Sequence, residues 1–302
     1  MLKGIKLQGV ILLIQLLLIT FLFAYQGEKE DSQPDNDQYL LLDKNKITSI
    51  RISDNNANTV ELKKHNDRWL LPGYYQLPVN RGLLDELLEK LNAAKPGWPV
   101  AQSESAAERF HVSDKQFQRH MVLESEGAPV ANIYLGDSPG LRKIYIRKHG
   151  ETGIYAIDLA LHLAPASDVE WFDKSLLKLQ GDISEIHMNK LVLKKQEQAW
   201  TLSDLSDSES IDQEKVNTIA TYLKYPQVLG VAARELVQKI DINKPDANYR
   251  IQLGNEAVDF NFFKTSEGVI IKSSQSDLHF IVAGFVAENL LGITRELLTK
   301  KQ

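Results

Sequence analysis

The chain has 302 residues, of which 43% are hydrophobic and 25% are charged, the balance of a folded protein with room for two cores of ordinary size. Its formal net charge of -5 offers no basic surplus for binding a phosphate backbone, so we expect no nucleic-acid partner. The sequence contains no cysteine, which excludes disulfides, thiolate metal sites and a cysteine nucleophile.

Residues 9–25 form an apolar run without a charged side chain, and as a helix they would extend roughly 25 Å, close to the thickness of a bilayer core. Lys3 and Lys6 precede the run and acidic residues follow it, so the positive-inside rule places residues 1–8 in the cytoplasm. We therefore predict a transmembrane helix at 9–25 that anchors the chain in a bacterial inner membrane, with residues 26–302 in the periplasm.

Two other interpretations of the apolar run are weaker. A cleaved signal peptide needs two small residues two positions apart, and Leu22 before Ala24 and Tyr25 before Gly27 do not supply them. A buried core helix is the third interpretation, but a polar segment follows the run directly. Gln15, inside the run, either bonds to a neighbouring helix or faces lipid.

Residues 26–46 are predicted to be an acidic linker. The stretch up to Gln38 contains Pro34 and has almost no apolar side chain, a composition typical of a solvated tether.

A first module is predicted at 47–180. Alternating apolar residues from Ile47 to Trp69 indicate two or three antiparallel strands. Leucines at helical spacing predict an amphipathic helix within 79–94, with Asn80 as its N-cap. Further strands are expected at 121–123, 131–135, 143–147 and 153–157, and short helices at 158–163 and 169–177.

A second module is predicted at 181–302 because the same pattern returns. Leu62-Lys63-Lys64 followed by Trp69 recurs as Leu193-Lys194-Lys195 followed by Trp200. A unit repeated twice at this length indicates duplicated domains rather than a solenoid.

The later elements of the second module follow the same order. Asp212 is the predicted cap of a helix that ends at Pro226. Strands are expected at 249–253, 258–263, 268–272 and 278–282, and a closing helix at 285–298. The predicted fold class is therefore α+β: a transmembrane helix followed by two tandem, similar modules, each an antiparallel sheet with a helix.

Several short motifs give the chain a resemblance to a known family. They are the strand pair ending at Trp69, Phe110-His111-Val112, Leu135-Gly136, the hairpin from Ile144-Tyr145-Ile146 to Tyr155-Ala156-Ile157, and the segment Trp171-Phe172-Asp173-Lys174-Ser175-Leu176-Leu177. In these residues the chain resembles the family of the domain of unknown function 4340. The resemblance implies an extracytoplasmic accessory protein, often encoded beside ABC transporter subunits of the gliding-motility type, and supplies no catalytic residues.

No residue set in the sequence predicts catalysis or a cofactor. Ser138 lies in a Gly-Asp-Ser-Pro-Gly stretch, but Pro139 follows it where a nucleophile loop needs glycine, so a turn is expected. Glu104 and Glu108 are interpreted as a solvated face. The seven histidines form no close pair of the metal-binding type, and no metal site is predicted: His65, His111, His120, His149, His162, His187 and His279.

The repeated lysines and tryptophans have structural interpretations. Lys63-Lys64 and Lys194-Lys195 are expected to discourage aggregation at an edge strand, with an anion site as the alternative. Trp69 and Trp200 are predicted structural anchors, one in each module, rather than ligand platforms.

Partner docking is predicted where the two modules differ. Tyr74, Tyr75 and Trp98 lie in proline- and glycine-containing loops at the two ends of the first helix, whereas the corresponding parts of the second module are the acidic stretch 203–210 and Tyr225-Pro226-Gln227. We hypothesise an aromatic docking surface, because aromatic residues are enriched at interfaces. In the alternative, these side chains pack beneath the loops.

Together these features predict a non-enzymatic, membrane-anchored periplasmic accessory or scaffold subunit of an ABC-type transporter complex. Its partners would be the bilayer, through residues 9–25, and a permease or other envelope subunit. The sequence has no phosphate-binding loop of the Walker type, so ATP hydrolysis would belong to a partner. The alternative is a free-standing envelope binding module for glycan, peptide or lipid, with a groove between the modules.

Overall fold

The computed structural model describes residues 15, 39–95, 97–140, 142–206 and 208–301. Within them, the chain forms two eight-stranded antiparallel sheets and one two-stranded ribbon.

The first sheet has the strand order β4-β3-β2-β1-β5-β6-β7-β8. Its strands are β1 (Ser49–Ser53), β2 (Thr59–His65), β3 (Arg68–Leu71), β4 (Leu77–Pro78), β5 (Arg119–Ser125), β6 (Ala128–Leu135), β7 (Ile144–Lys148) and β8 (Ile154–Ile157).

The second sheet has the strand order β11-β10-β9-β14-β15-β16-β17-β13. Its strands are β9 (Glu185–Met188), β10 (Leu191–Gln196), β11 (Ala199–Leu202), β13 (Val228–Val231), β14 (Ala247–Leu253), β15 (Glu256–Thr265), β16 (Gly268–Ser273) and β17 (His279–Val282). The ribbon pairs β12 (Glu209–Ile211) with β18 (Thr299–Lys301).

The helices are few and short. They are α1 (Arg81–Asn92), α2 (Glu104–Arg109), α3 (Asp168–Trp171), α4 (Gln213–Lys224), α5 (Arg234–Val237), α6 (Gly284–Leu290) and α7 (Arg295–Leu298), together with a 3-10 turn at Leu161–Leu163.

The predicted fold class is corrected by this architecture. The described chain is mostly antiparallel sheet, because strand alternation extends over far more residues than helical spacing, and an α+β class that begins with a membrane-spanning helix does not describe it. The predicted span at 9–25 lies outside the described residues, apart from Gln15. In the portion of the chain that is described, no helix combines the length and the apolar character needed to cross a bilayer.

Both long helices begin at the residues predicted from the sequence. The Asn80 side chain accepts a hydrogen bond from the backbone N–H of Leu83 at 3.2 Å, and Asp212 accepts one from Lys215 at 3.2 Å. These bonds satisfy N–H groups that have no partner within a helix. The caps therefore fix where α1 and α4 start.

The repeated Leu-Lys-Lys…Trp pattern occupies the same register in the two sheets. Leu62 pairs with Ile50 on β1, and Leu193 pairs with Ile186 on β9. Lys64 lies opposite Trp69, and Lys195 lies opposite Trp200. The sequence repeat is thus a repeat of strand pairing.

The two sheets match in strand order except at their edges. The sequence β3-β2-β1-β5-β6-β7-β8 corresponds to β11-β10-β9-β14-β15-β16-β17. The first sheet adds β4 beside β3, whereas the second adds β13 beside β17. Sequence alternation did not predict β4, β12, β13 or β18.

One apolar core extends through both sheets. It includes Ile50 and Leu87 from the first half and Ile186 and Phe260 from the second. Tyr39, Leu40 and Leu42 are also buried, although they precede position 47, where the first module was predicted to begin.

The predicted closing helix at 285–298 is wrong as a single element. It divides into α6 and α7, with Gly292 between them at φ 71°. A positive φ is incompatible with a continuing right-handed helix and is tolerated by glycine.

Candidate functional site

A tyrosine from the first half holds the edge strand of the second sheet. The hydroxyl oxygen of Tyr74 accepts a hydrogen bond from the backbone N–H of Val231 in β13 at 2.8 Å. A Cβ atom at Gly230 would lie 3.3 Å from that oxygen, so glycine lets the phenol approach the strand closely. A second bond joins the same strand to the first half, from Val228 N–H to the Lys174 carbonyl at 3.3 Å.

The neighbouring tyrosine points to solvent. The Tyr75 side chain is 60% exposed, and its ring lies edge-on to the Tyr74 ring at a centroid distance of 5.5 Å. Tyr74 packs on the other side against the buried ring of Phe172 at 5.8 Å. The backbone of Tyr75 has φ 55°, an uncommon conformation for a residue with a bulky side chain. The turn therefore packs one tyrosine half-buried against the core and exposes the other.

Two further exposed apolar side chains lie beside this contact. Val169 is 41% exposed, and its Cγ1 would be 4.0 Å from a Cβ at Gly230. Leu229, adjacent to Gly230 in β13, is 47% exposed. We call Tyr75, Val169 and Leu229 the junction patch. Its members come from three distant parts of the sequence, and each lies next to a residue of the contact between Tyr74 and β13.

A carboxylate lies under the junction patch without a hydrogen-bond partner for one of its oxygens. Asp168 Oδ1 is buried and lacks a donor among the described residues. The carboxylate lies against Gly73, where a Cβ would be 3.7 Å from Oδ1. Burial raises the pKa of Asp168, because removal from water disfavours the charged form.

Trp98, the third residue of the predicted docking surface, lies elsewhere. It is 72% exposed and precedes Val100, whose backbone N–H donates to the carbonyl of Ile154 in β8 at 2.7 Å. Tyr74 and Tyr75 lie instead in the turn between β3 and β4, at the other end of the strand order. The structure thus brings the two tyrosines together and places Trp98 at the opposite sheet edge.

The two predicted anchor tryptophans are buried, Trp69 at 4% and Trp200 at 2% exposure. The indole N–H of Trp200 donates to Asn217 Oδ1 at 3.0 Å. Ser138 donates to the carbonyl oxygens of Gly140 and Lys143, so its hydroxyl stabilises a turn.

A polar cluster that the sequence did not predict surrounds Arg147, which is 8% exposed. Its guanidinium donates to the carbonyls of Val112 and Glu151 at 2.6 and 2.9 Å and to the carboxylate of Asp114. It also lies 4.9 Å from the centroid of the Tyr134 ring. The hydrogen bond from Arg147 lowers the pKa of Asp114.

Two histidines that are distant in sequence meet at the same tyrosine. The ring of His120 stacks on Tyr134 at a centroid distance of 4.5 Å, and His149 Nδ1 lies 3.1 Å from the Tyr134 hydroxyl. His111 pairs separately with Asp137 at 2.7 Å. Even so, no group of three or more histidine, aspartate or glutamate side chains within the described ranges is arranged to hold a metal ion.

A cavity of about 310 Å³ opens beside Arg147. Polar side chains on its wall include Ser103, Glu104, Glu108, Lys115 and Thr152. Glu104 and Glu108, interpreted from the sequence as a solvated face, line this cavity, but nothing in the sequence joined them to Arg147. In the junction patch, Tyr75 was predicted from its loop, whereas Val169 and Leu229 carried no sequence signal of a site.

These two sheets define a mostly β protein in which two similarly ordered halves share one core. Comparison with family models assigns the class: the model described as Domain of unknown function (DUF4340) matches residues 69–248. That range covers more than half of the chain, and the chain belongs to this family. The match is one continuous range from β3 into β14, so it does not mark each half as a separate copy. Searches of curated proteins and of solved structures give no match.

Proposed function

We propose that this protein is a non-catalytic scaffold subunit of an ABC-type transporter complex in the bacterial envelope, and that the junction patch docks a permease or another envelope subunit. The observation that carries the proposal is the placement of Tyr75, Val169 and Leu229 around the bond between Tyr74 and Val231. Exposed aromatic and apolar side chains on a rigid support are typical of the centre of a protein interface.

Rigidity of the support favours docking at this place. Tyr75 is preceded by a tyrosine packed on Phe172, and Leu229 lies between two residues whose N–H groups bond to the first half. Side chains on such segments lose little conformational freedom when a partner binds, so less of the interaction energy is offset by ordering.

The same proposal includes a periplasmic location for the folded region and an origin of its two halves by duplication. The resemblance to extracytoplasmic accessory proteins favours a periplasmic location. The shared register of Leu62 and Leu193, and of Lys64 and Lys195, supports an origin of the two halves as tandem copies. The two halves differ at their sheet edges, and this is where β13 contacts the Tyr74 turn. These differences then determine which partner subunit binds.

Photo-crosslinking in intact cells tests the docking surface. A photoreactive amino acid at position 75 should give an adduct that mass spectrometry identifies as a transporter subunit, and Leu229→Arg should abolish it. The matched control places the same group at position 98, which is also exposed and aromatic but lies at the opposite sheet edge. Equal adducts at 75 and 98, or recovery of the protein alone, would contradict the proposal.

A second candidate function is a free-standing binding module for glycan, peptide or lipid. The cavity of about 310 Å³ beside Arg147 favours it, because concave sites with a few fixed polar groups are typical of ligand binding. Native mass spectrometry of the gently purified full chain tests this function. A bound small molecule that is lost in Glu104→Gln/Glu108→Gln would support it, and unliganded protein with a crosslinked partner would exclude it.

A further inference from the structure

A second cavity, of about 290 Å³, lies where the segment connecting the two sheets meets α4. Lys195, Trp200, Asn217, Thr221, Lys224 and Tyr225 line it, and we call it the lysine cavity. Its volume is close to the lower end of small-molecule sites, roughly 300–1,000 Å³, which suits a ligand the size of one sugar unit. None of the junction-patch residues lines it, so a ligand could bind in this cavity whether or not a partner docks on the junction patch.

Two lysines, Lys195 and Lys224, and one carboxylate, Asp182, line this cavity, so positive charge is in excess there although the chain has a net charge of -5. Lys224 is neutralised by Asp182 at 3.0 Å. Lys195 lies 5.9 Å from the Trp200 ring, and Lys178 lies 5.2 Å from the Tyr225 ring. In the described part of the chain, neither Lys178 nor Lys195 has a carboxylate within ion-pair distance. Lys195 on the wall, and Lys178 beside the cavity over the Tyr225 ring, therefore remain available to an anion.

Neutral polar groups and an exposed ring complete the wall. Asn217 Oδ1 accepts from the Trp200 indole, which orients the amide nitrogen Nδ2 as a donor that finds no acceptor among the residues described. The Thr221 hydroxyl donates to the Asn217 carbonyl and keeps its lone pairs free to accept. Tyr225 is 44% exposed and presents apolar surface at the mouth. Donors, acceptors and an aromatic ring in one cavity suit a polyhydroxylated ligand.

We propose that the lysine cavity binds an acidic sugar unit, a uronic acid or a sugar phosphate. Lys195 contacts the anionic group, with Lys178 adding positive charge beside the Tyr225 ring. Asn217 and Thr221 bond to hydroxyl groups, and Tyr225 covers an apolar face of the sugar ring. The positive charge of the two lysines supplies most of the affinity, because the neutral contacts replace equally good bonds to water.

The equivalent position in the first sheet has no available lysine. Lys64 lies opposite Trp69 as Lys195 lies opposite Trp200, but Lys64 is paired with Asp67 at 3.0 Å. The same register therefore carries a neutralised lysine in one half and an available lysine in the other. This difference provides a control with identical chemistry at a matched place in the fold.

Ligand-observed NMR with the full-length chain tests the proposal. Glucuronic acid and glucose 6-phosphate should bind, glucose should bind at least about tenfold more weakly, and added salt should weaken the acidic ligands. Lys178→Ala/Lys195→Ala should lose at least about tenfold in affinity, whereas Lys63→Ala/Lys64→Ala, which removes the same charge, should bind as the wild type does. Tyr225→Ala should weaken both acidic sugars without abolishing the salt dependence.

Further probes distinguish a lipid head group from a soluble saccharide as the source of the ligand. They also define the results that would contradict the proposal. Retention on vesicles containing a glucuronosyl lipid, beyond that on neutral vesicles, assigns the sugar to a lipid head group, and binding of the free sugar alone assigns it to a soluble saccharide. Inorganic phosphate that binds as tightly as glucose 6-phosphate would show that no sugar is recognised. Unchanged affinity in Lys178→Ala/Lys195→Ala, or equal losses in both double variants, would remove the site.

Discussion

The side-chain amide of Gln213 forms two hydrogen bonds with the main chain of Trp200. Its Oε1 accepts from the Trp200 N–H at 2.9 Å, and its Nε2 donates to the Trp200 carbonyl at 2.7 Å. In the first sheet, the carbonyl of the equivalent Trp69 accepts instead from the backbone N–H of Val79, just after β4. One glutamine side chain thus takes the place of a neighbouring strand at the edge of the second sheet.

Replacement of Gln213 should therefore destabilise the second sheet. Gln213→Ala leaves two main-chain groups of Trp200 without partners and should lower the free energy of unfolding by about 1–3 kcal/mol, measured by urea denaturation. Glu214→Ala, at the next position of α4, is the control and should change the free energy little. An equal effect of the two substitutions would show that the amide bonds contribute nothing specific.

The bond from Val231 to Tyr74 predicts a contrast between adjacent tyrosines. Tyr74→Phe removes the acceptor for a partly buried N–H and should cost about 1–3 kcal/mol of stability. Amide hydrogen exchange at Val231 should accelerate at the same time. Tyr75→Phe, which alters an exposed ring, should leave both quantities unchanged. If Tyr75→Phe had the same effect, the junction would depend on the turn rather than on this hydroxyl.

Replacement of Asp168 by a neutral residue should stabilise the protein, and the size of this gain should depend on pH. Because burial raises its pKa in the folded state, ionisation favours unfolding, and stability is lost as the pH rises from the unfolded value of 3.8 through the folded value. Asp168→Asn should therefore unfold at a higher urea concentration than the wild type at pH 7, and the difference should vanish below about pH 3.8. Glu170→Gln, exposed on the same helix, serves as the control. A gain that persists at low pH would point to packing instead of charge.

Glu209 predicts the opposite pH response in the ribbon. Hydrogen bonds from Arg295 and then from Ser206 lower the pKa of Glu209 from 4.5 to about 2, so its stabilising contribution is present above pH 4.5 and is lost as the pH falls towards 2. Protection of the β12 and β18 amides, measured relative to the intrinsic exchange rate at each pH, should fall over this window in the wild type. Glu209→Gln should make exchange faster at neutral pH and remove the acid dependence. Unaltered exchange in the variant would separate the ion pair from ribbon stability.

Patterns in the sequence were sufficient to predict the elements that depend on local periodicity. Leu62 alternates with polar neighbours, and Asn80 and Asp212 precede apolar stripes, so strands and helix starts followed from short-range rules. The shared register of the two sheets followed from the recurrence of Trp69 as Trp200. The predicted proportion of helix to strand was wrong, because the many short strands contain more residues than the two long helices.

The candidate sites were much less predictable, because they depend on contacts between distant residues. Tyr74 was selected from its loop, but its partner Val231 lies 157 positions away. Arg147 alternates with buried isoleucines in β7, and nothing in that pattern predicts a guanidinium enclosed by a helix and loop on the other face. Lys195 was interpreted as protection of an edge strand, and this was wrong because β10 lies between β9 and β11. Strand order depends on pairing between distant segments, which local alternation does not predict.

The common core limits how the two halves of the chain can evolve. Ile50 and Ile186 belong to one apolar cluster, and a cut between the two sheets would expose both parts of it to water. Whatever the origin of the halves, recombination cannot now exchange one for a half from another gene without a matching surface on the other. The unit on which selection acts is therefore the pair, and mutations at the boundary must be tolerated by both sheets together.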